Sequence, residues 1–272
     1  MSDEQGRPDR ARRKVFGEVA DQYEAARPGY PGQLVDDVLA FAGPAGRDAL
    51  EVGAGTGKAT VAFAARGVAL TCVEPDARMA AVLERKCAGL GRVTVVNGEF
   101  ESWARPAERR FGLLLSAQAW HWVDPAVRGE LARAALVPGG AVALFWNDWY
   151  LAEDALRDEV TALHRRYLDE LPPHSILDGR PRESVMGADS WVGEELGNDP
   201  GFTDLTHHQY VTEHERSTGG TVDLLTSLSF YRRLPEATRT ALLAEVAHAV
   251  DAHGGRLRLT TTTGLFLART VR

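Results

Sequence analysis

Residues 48–58 read Asp-Ala-Leu-Glu-Val-Gly-Ala-Gly-Thr-Gly-Lys, "DALEVGAGTGK". A short apolar run ends in three alternating glycines, and a helical pattern, "KATVAFAARG" over 58–67, follows directly. Strand, glycine turn and helix in that order put the turn at the carboxyl end of a strand, where open α/β sheets bind ligands. Gly53 and Gly55 permit positive φ and let a ligand approach bare backbone. The unpaired N–H groups at the start of the next helix favour an electronegative group.

The spacing narrows the choice of ligand. A dinucleotide fingerprint, G-x-G-x-x-G, needs glycine at 58, and that position is Lys58. A phosphate-binding P-loop needs G-x-x-x-x-G-K-[ST]; "GAGTGK" has its first glycine one position too close, and Ala59 follows the lysine. A pyrophosphate cradle is therefore disfavoured. The next strand, "VALTCVEP", ends in Glu74, where a carboxylate can accept both hydroxyls of a ribose. That contact serves NAD and S-adenosylmethionine (SAM) equally; the bland alternative for Glu74 is a solvated strand end.

Outward from this stretch the strand–helix alternation continues. "DARMAAVLERKCAGLG" is a helix that Asp76 is placed to cap, and "RVTVVNG" a third strand. "FGLLLSAQ" is a continuous apolar run, as expected of a strand buried on both faces. "DPAVRGELARAALVPGG" reads as a helix and "AVALFWN" as a fifth strand. This rhythm predicts a parallel sheet with helices on both faces. Beyond Trp149 come a long amphipathic helix ("LAEDALRDEVTALHRRYLDEL"), a loop-rich tract, a possible strand ("TDLTHHQYVTEHE"), two helices within 221–255 and a β-rich ending ("RLRLTTTTGLFLARTVR"). An antiparallel pair can thus finish the sheet.

The whole is read as one domain over 1–272. Its core is placed at about 34–149 and 201–272, an N-terminal lid at about 12–33 and a helical and loop insertion at about 150–200. Of 272 residues 44% are hydrophobic, and 31 basic against 38 acidic side chains give a net charge of −7. An acidic chain does not favour a nucleic-acid backbone. The basic stretch "RPDRARRK" is the only obvious cluster and reads more simply as a solvated terminus. No apolar run approaches the ~18 residues of a membrane helix. Two cysteines, Cys72 and Cys87, without metal-ligand spacing suggest a reducing compartment, so no metal and a cytoplasmic location are expected.

Taken together, "EVGAGTG", Glu74, "NGEFE" after the third strand and "LLLSAQAWHWV" at the fourth resemble the class I SAM-dependent methyltransferases. The resemblance is strongest to small-molecule members of the type 11-like group, which have an N-terminal segment like "FGEVADQYEAARPGYP" and a His-Trp pair after the fourth strand. It implies a Rossmann-like, seven-stranded, mostly parallel sheet with a reversed last strand and a helical cap. It also implies SAM as cofactor and transfer of a methyl group to a small-molecule acceptor. Oxygen is the expected site of transfer, and a monomer or homodimer without nucleic-acid or membrane partners is expected. One departure is Phe111-Gly112, where the fourth strand of the family often opens with an acid after the aromatic; the local turn there is expected to differ.

Carried over residue by residue, the resemblance implies that Glu51 holds the amino group of the methionine part of SAM, over Gly53, Ala54, Gly55, Thr56 and Gly57. Glu74 with Pro75 would take the ribose, Met79 the adenine face, and Glu99 and Phe100 the adenine edge. Ser116, Ala117 and Gln118 would line the floor near the sulfonium, and Tyr23 and Arg27 would close over the cofactor. Met79 reads equally as a core methionine, and Arg27 also as a surface charge. His121, between Trp120 and Trp122, is the candidate general base; its alternative is to pack and hydrogen-bond at the sheet edge. Trp120, Trp146, Trp149 and Tyr231 are candidate acceptor contacts. A nicotinamide-dependent dehydrogenase, which Lys58 disfavours, and a SAM-binding protein without turnover are the competing readings.

Overall fold

The computed structural model describes residues 24, 27–103, 110–171, 176 and 187–271. Its frame is a seven-stranded sheet in the order β3-β2-β1-β4-β5-β7-β6. The strands are β1 (Asp48–Val52), β2 (Ala69–Glu74), β3 (Val93–Asn97), β4 (Phe111–Ala117), β5 (Leu136–Leu151), β6 (Phe202–Ser217) and β7 (Arg256–Thr270). β1 to β5 pair in parallel, and β7 runs antiparallel to both β5 and β6. The strand order reverses at β1/β4, so a switch point opens above the carboxyl ends of those two strands.

The helices follow the sequence pattern closely. In chain order they are α1 (Gly32–Ala42), α2 (Lys58–Ala64), α3 (Ala77–Cys87), α4 (Phe100–Trp103), α5 (Arg128–Ala135), α6 (Asp154–Tyr167), α7 (Trp191–Asn198), α8 (Thr218–Ser227), α9 (Ser229–Arg232) and α10 (Glu236–Ala252). Asp76 caps α3 through the N–H groups of Arg78 and Met79, as its residue type predicts. The expected helix running into "LVPGG" stops earlier, at Ala135. Leu136 already pairs with Phe111 of β4, and a register shift before Leu113 absorbs the irregular stretch. α7 lies within the tract expected to be loop.

Three apolar layers hold the frame. One face of the sheet packs Leu50, Leu114, Leu144 and Phe266 with Leu131, Val192 and Leu196, from α5 and α7. The other packs Leu113, Leu115, Phe145 and Leu265 with Leu34, Val35, Phe63 and Leu83, from α1, α2 and α3. A third cluster joins Leu151, Leu257 and Leu259 to α6, α8 and α10. This is the helical cap, and it rests where β5, β6 and β7 run on past the other strands.

Gly112 explains the departure at the start of β4. A Cβ there would lie 2.0 Å from the carbonyl oxygen of Ala45, in the 3-10 turn Pro44–Arg47. Close passage of that turn, not a ligand, excludes a side chain.

Candidate active site

The glycine loop follows β1. Gly53, Gly55 and Gly57 have φ of 69°, 58° and 87°, a left-handed region that costs other residues dearly. Ala54 and Thr56 are buried, whereas Gly53 and Gly55 are partly exposed and present the loop's accessible backbone. A Cβ on Gly53 would meet the Cβ of Ala119 at 2.4 Å, and one on Gly57 would meet Leu83 at the same distance. The loop is thus wedged between the end of β4 and α3.

Glu74 braces it. One carboxylate oxygen accepts the N–H of Gly55 at 2.8 Å and the other that of Asp76 at 2.9 Å. A carboxylate has about four acceptor positions, so bracing the loop does not by itself exhaust it. Pro75 is half-buried beside it, and Met79 is buried with its sulfur facing Gly55.

Glu51 is buried under the loop, 1% exposed. It accepts the hydroxyl of Thr60 at 2.6 Å and faces the Cys72 thiol at 3.7 Å. Burial pushes its pKa up to about 7; the Thr60 and Cys72 contacts oppose the rise, and the charge of Glu74 adds to it. Thr60 is invisible as a site residue in the sequence, since a threonine inside a helical pattern looks like filler.

On the far side of the site Ser116 donates to the Val52 carbonyl at 2.9 Å, tying β4 to β1. Gln118 has φ of +59°, a conformation costing a non-glycine residue on the order of 1–3 kcal/mol. Its N–H donates to the Phe145 carbonyl and its amide to the Asn147 carbonyl, so the segment just after β4 is locked to the middle of β5. Ala117 is half-buried beside it. Glu99 and Phe100 stand at the start of α4; the Glu99 carbonyl accepts from Ser102 and Trp103, and the Phe100 ring packs 6.2 Å from Trp120.

Glu24 and residues 27–30 pass over this end of the sheet. Glu24 accepts from Thr56 at 2.5 Å and Lys86 at 2.6 Å, and Lys58 donates to its carbonyl at 2.6 Å. Burial raises the Glu24 pKa, but the Lys86 and Thr56 hydrogen bonds and the lysine charges outweigh this and leave it lowered. Arg27 donates to the Ser227 carbonyl at 3.1 Å and lies 5.6 Å from the Trp149 ring centroid. Gly29 accepts from Asn147, and Tyr30 packs edge-on to Phe145. Arg27 is therefore turned toward the helical cap. Tyr23 lies outside the described residues.

Two candidate acceptor contacts need correcting. Trp120 is 2% exposed and belongs to the core, with its N–H directed to Glu195. Arg128 fixes it there: buried and paired with Glu195, it donates to the Trp120 carbonyl at 3.1 Å. Tyr231 is fully buried, and its hydroxyl lies 2.6 Å from His164 Nε2. It serves the cap's core. Trp146 is buried and half-way between these roles; its indole N–H donates to His121 Nδ1 at 3.3 Å. Only Trp149, half-buried on the extended part of β5, keeps its ring beside Arg27.

His121 is exposed, on a 3-10 turn. Because Trp146 donates to Nδ1, the proton of the neutral ring belongs on Nε2. In this arrangement neither nitrogen is poised to take a proton from an acceptor. No group of three or more His, Cys, Asp or Glu suited to a metal ion occurs among the described residues.

A seven-stranded sheet with a reversed last strand, a wedged glycine loop after β1 and a carboxylate ending β2 define a class I SAM-dependent methyltransferase. Comparison with known proteins agrees. Residues 49–140 match the model of a methyltransferase domain. An uncharacterized methyltransferase of Mycobacterium tuberculosis is 31% identical over 239 residues, covering 88% of this chain and 86% of the relative. A methyltransferase-like protein of Schizosaccharomyces pombe is 29% identical, covering 86% and 84%. Among solved structures, a chain from Anaeromyxobacter dehalogenans assigned to the type II methyltransferases superposes with a TM-score of 0.66 at 22% identity, covering 90% and 98%. A SAM-dependent methyltransferase from Thiobacillus denitrificans, in complex with S-adenosylhomocysteine, gives 0.50 at 16% identity, covering 97% and 99%. The chain belongs to the SAM-dependent methyltransferase family, and SAM is its cofactor.

Proposed function

We propose that the protein transfers the methyl group of SAM to a small-molecule acceptor, at an oxygen atom. The observation that carries the small-molecule part is the enclosure. Glu24 and residues 27–30 are pinned on both sides of the switch point, to the glycine loop through Thr56 and to the helical cap through Ser227. A protein or nucleic-acid acceptor would need an open platform there.

Bound SAM supplies an electrophilic methyl on a sulfonium, which needs alignment and dryness more than acid–base help. In this reading Glu74 takes the ribose, and the accessible backbone of Gly53 and Gly55 passes under the methionine part. Glu51, when ionised, attracts its ammonium group from below. Met79 flanks the adenine, and Glu99 and Phe100 meet its edge. Ser116, Ala117 and Gln118 hold the floor near the sulfonium. The engaged Nδ1 of His121 favours an acceptor that arrives already deprotonated, and oxyanions are the common case near neutral pH.

The test uses purified protein with methyl-labelled SAM and a cell extract divided by size into small molecules and macromolecules. Label should enter the small-molecule fraction, and carbon NMR of the product should show a methyl on oxygen. Label confined to macromolecules, or a methyl on nitrogen or carbon, would sink the corresponding half of the proposal.

A further inference from the structure

Along one face of the β5/β7 pair the paired residues change character in steps. Phe145 faces Leu265, Asn147 faces Thr263, Trp149 faces Thr261, and Leu151 faces Leu259. The two outer pairs are apolar and belong to different core clusters. Between them lies a polar window two rungs wide, over which Arg27, Gly29 and Tyr30 pass.

The two rungs are not alike. Thr263 donates to Asn147 at 2.6 Å, and Asn147 in turn holds Gly29, so the first is internally satisfied. In the second, the Trp149 indole nitrogen and the Thr261 hydroxyl are both buried and make no hydrogen bond among the described residues. Thr261 is 2% exposed. Buried polar atoms are rarely left without a partner, because each forfeits its water for nothing. Two such groups able to donate, on directly opposed residues of one face, point to a partner that the described residues do not supply.

Chemistry defines that partner. An indole N–H can only donate, and a threonine hydroxyl can donate beside it. The Arg27 guanidinium, 5.6 Å from the Trp149 ring, adds positive charge. Two donors next to a cation match an oxygen that carries negative charge. The window adjoins the cofactor floor, since Gln118 donates to the Asn147 backbone one step along the strand.

We propose that Trp149 Nε1 and Thr261 Oγ1 form an acceptor subsite that holds a carboxylate of the methyl acceptor, which makes the substrate class small carboxylic acids. This rests on the methyltransferase reading above and adds the recognition group to it.

The test uses the full chain saturated with S-adenosylhomocysteine and follows thermal unfolding. Small aliphatic and aromatic carboxylates are added, each beside its primary amide. S-adenosylhomocysteine alone should raise Tm. At least one carboxylate should raise it further while its amide does not, and W149F and T261V should each abolish that increment. Thr262 is the control: its hydroxyl is also buried and has no hydrogen-bond partner among the described residues, but it lies on the opposite face, paired with the carboxylate residue Asp148. T262V should therefore leave the carboxylate increment intact. Without any ligand T261V should itself raise Tm by ~2 °C, because an isosteric methyl replaces a stranded hydroxyl. A shift with S-adenosylhomocysteine but none from any carboxylate, or an increment that survives both W149F and T261V, would overturn the subsite alone. Absence of the S-adenosylhomocysteine shift would overturn it together with the cofactor reading.

Discussion

Glu74 accepts the N–H of Gly55 at 2.8 Å, so the carboxylate ending β2 also sets the shape of the loop ending β1. In the proposed reading, removing it would cost a ribose contact together with the brace. Glu74→Gln keeps one acceptor oxygen for the loop but places an NH2 group where the other oxygen faces the Asp76 N–H. We expect Glu74→Ala to weaken SAM binding by ~1–3 kcal/mol, and Glu74→Gln by a similar amount, since both lose charge-assisted hydrogen bonds. Calorimetric titration checks this; unchanged affinity would mean the ribose is held elsewhere.

Gly53→Ala should be more severe for the cofactor than for the fold. The new Cβ meets the Cβ of Ala119 at 2.4 Å, on a backbone at positive φ. Strain of on the order of 1–3 kcal/mol would be relieved by moving the loop away from β4. SAM binding should fall beyond detection while circular dichroism keeps the native spectrum. Wild-type affinity in this variant would show that the loop backbone does not face the cofactor.

Glu51 gives a pH dependence with a definite sign. Its pKa is raised to about 7 by burial, above the ordinary carboxylate value of 4.5. The folded protein therefore holds a proton that the unfolded chain releases. Stability from this group is full below pH ~4.5 and is lost as pH rises toward 7. Glu51→Gln stays neutral and still accepts from Thr60, so its stability should lack this decline. Denaturant midpoints at pH 5 and pH 8 should draw together relative to wild type. A parallel pH profile in both proteins would remove Glu51 as the cause.

Tyr231→Phe tests the reassignment of that residue to the cap. His164 Nδ1 lies 2.7 Å from the Val160 carbonyl and must carry the proton, so Nε2 accepts from the Tyr231 hydroxyl. Losing the hydroxyl strands a buried nitrogen, at a cost of ~1–3 kcal/mol. Tm should drop by several degrees with KM for the acceptor unchanged. A raised KM at unchanged stability would return Tyr231 to the acceptor site.

The strands and most of the core were legible in the sequence, and the misreadings have a shared cause. β1 coincides with "DALEV" and β4 with most of "FGLLLSAQ", because a buried parallel strand is a local apolar run. Trp120 looked like a site residue because it flanks His121. Its neighbours Glu195 and Arg128 come from α7 and α5, and they draw it inward. Thr60 and Asn147 carried no signal, since a threonine in a helix and an asparagine after a strand occur everywhere. Asn147 acquires its place only through Thr263, 116 residues away, and Gly29, 118 away.

By itself the sequence determined the alternating strands and helices, the glycine turn and the acid that ends β2. Each depends on neighbouring residues, through apolar period and the φ that only glycine adopts cheaply. Tertiary structure decided which polar groups are satisfied. Arg27 meets Ser227 across 200 residues, and Trp149 meets Thr261 only because β7 turns back beside β5. A buried donor's lack of a partner depends on everything packed around it, and no local pattern encodes it.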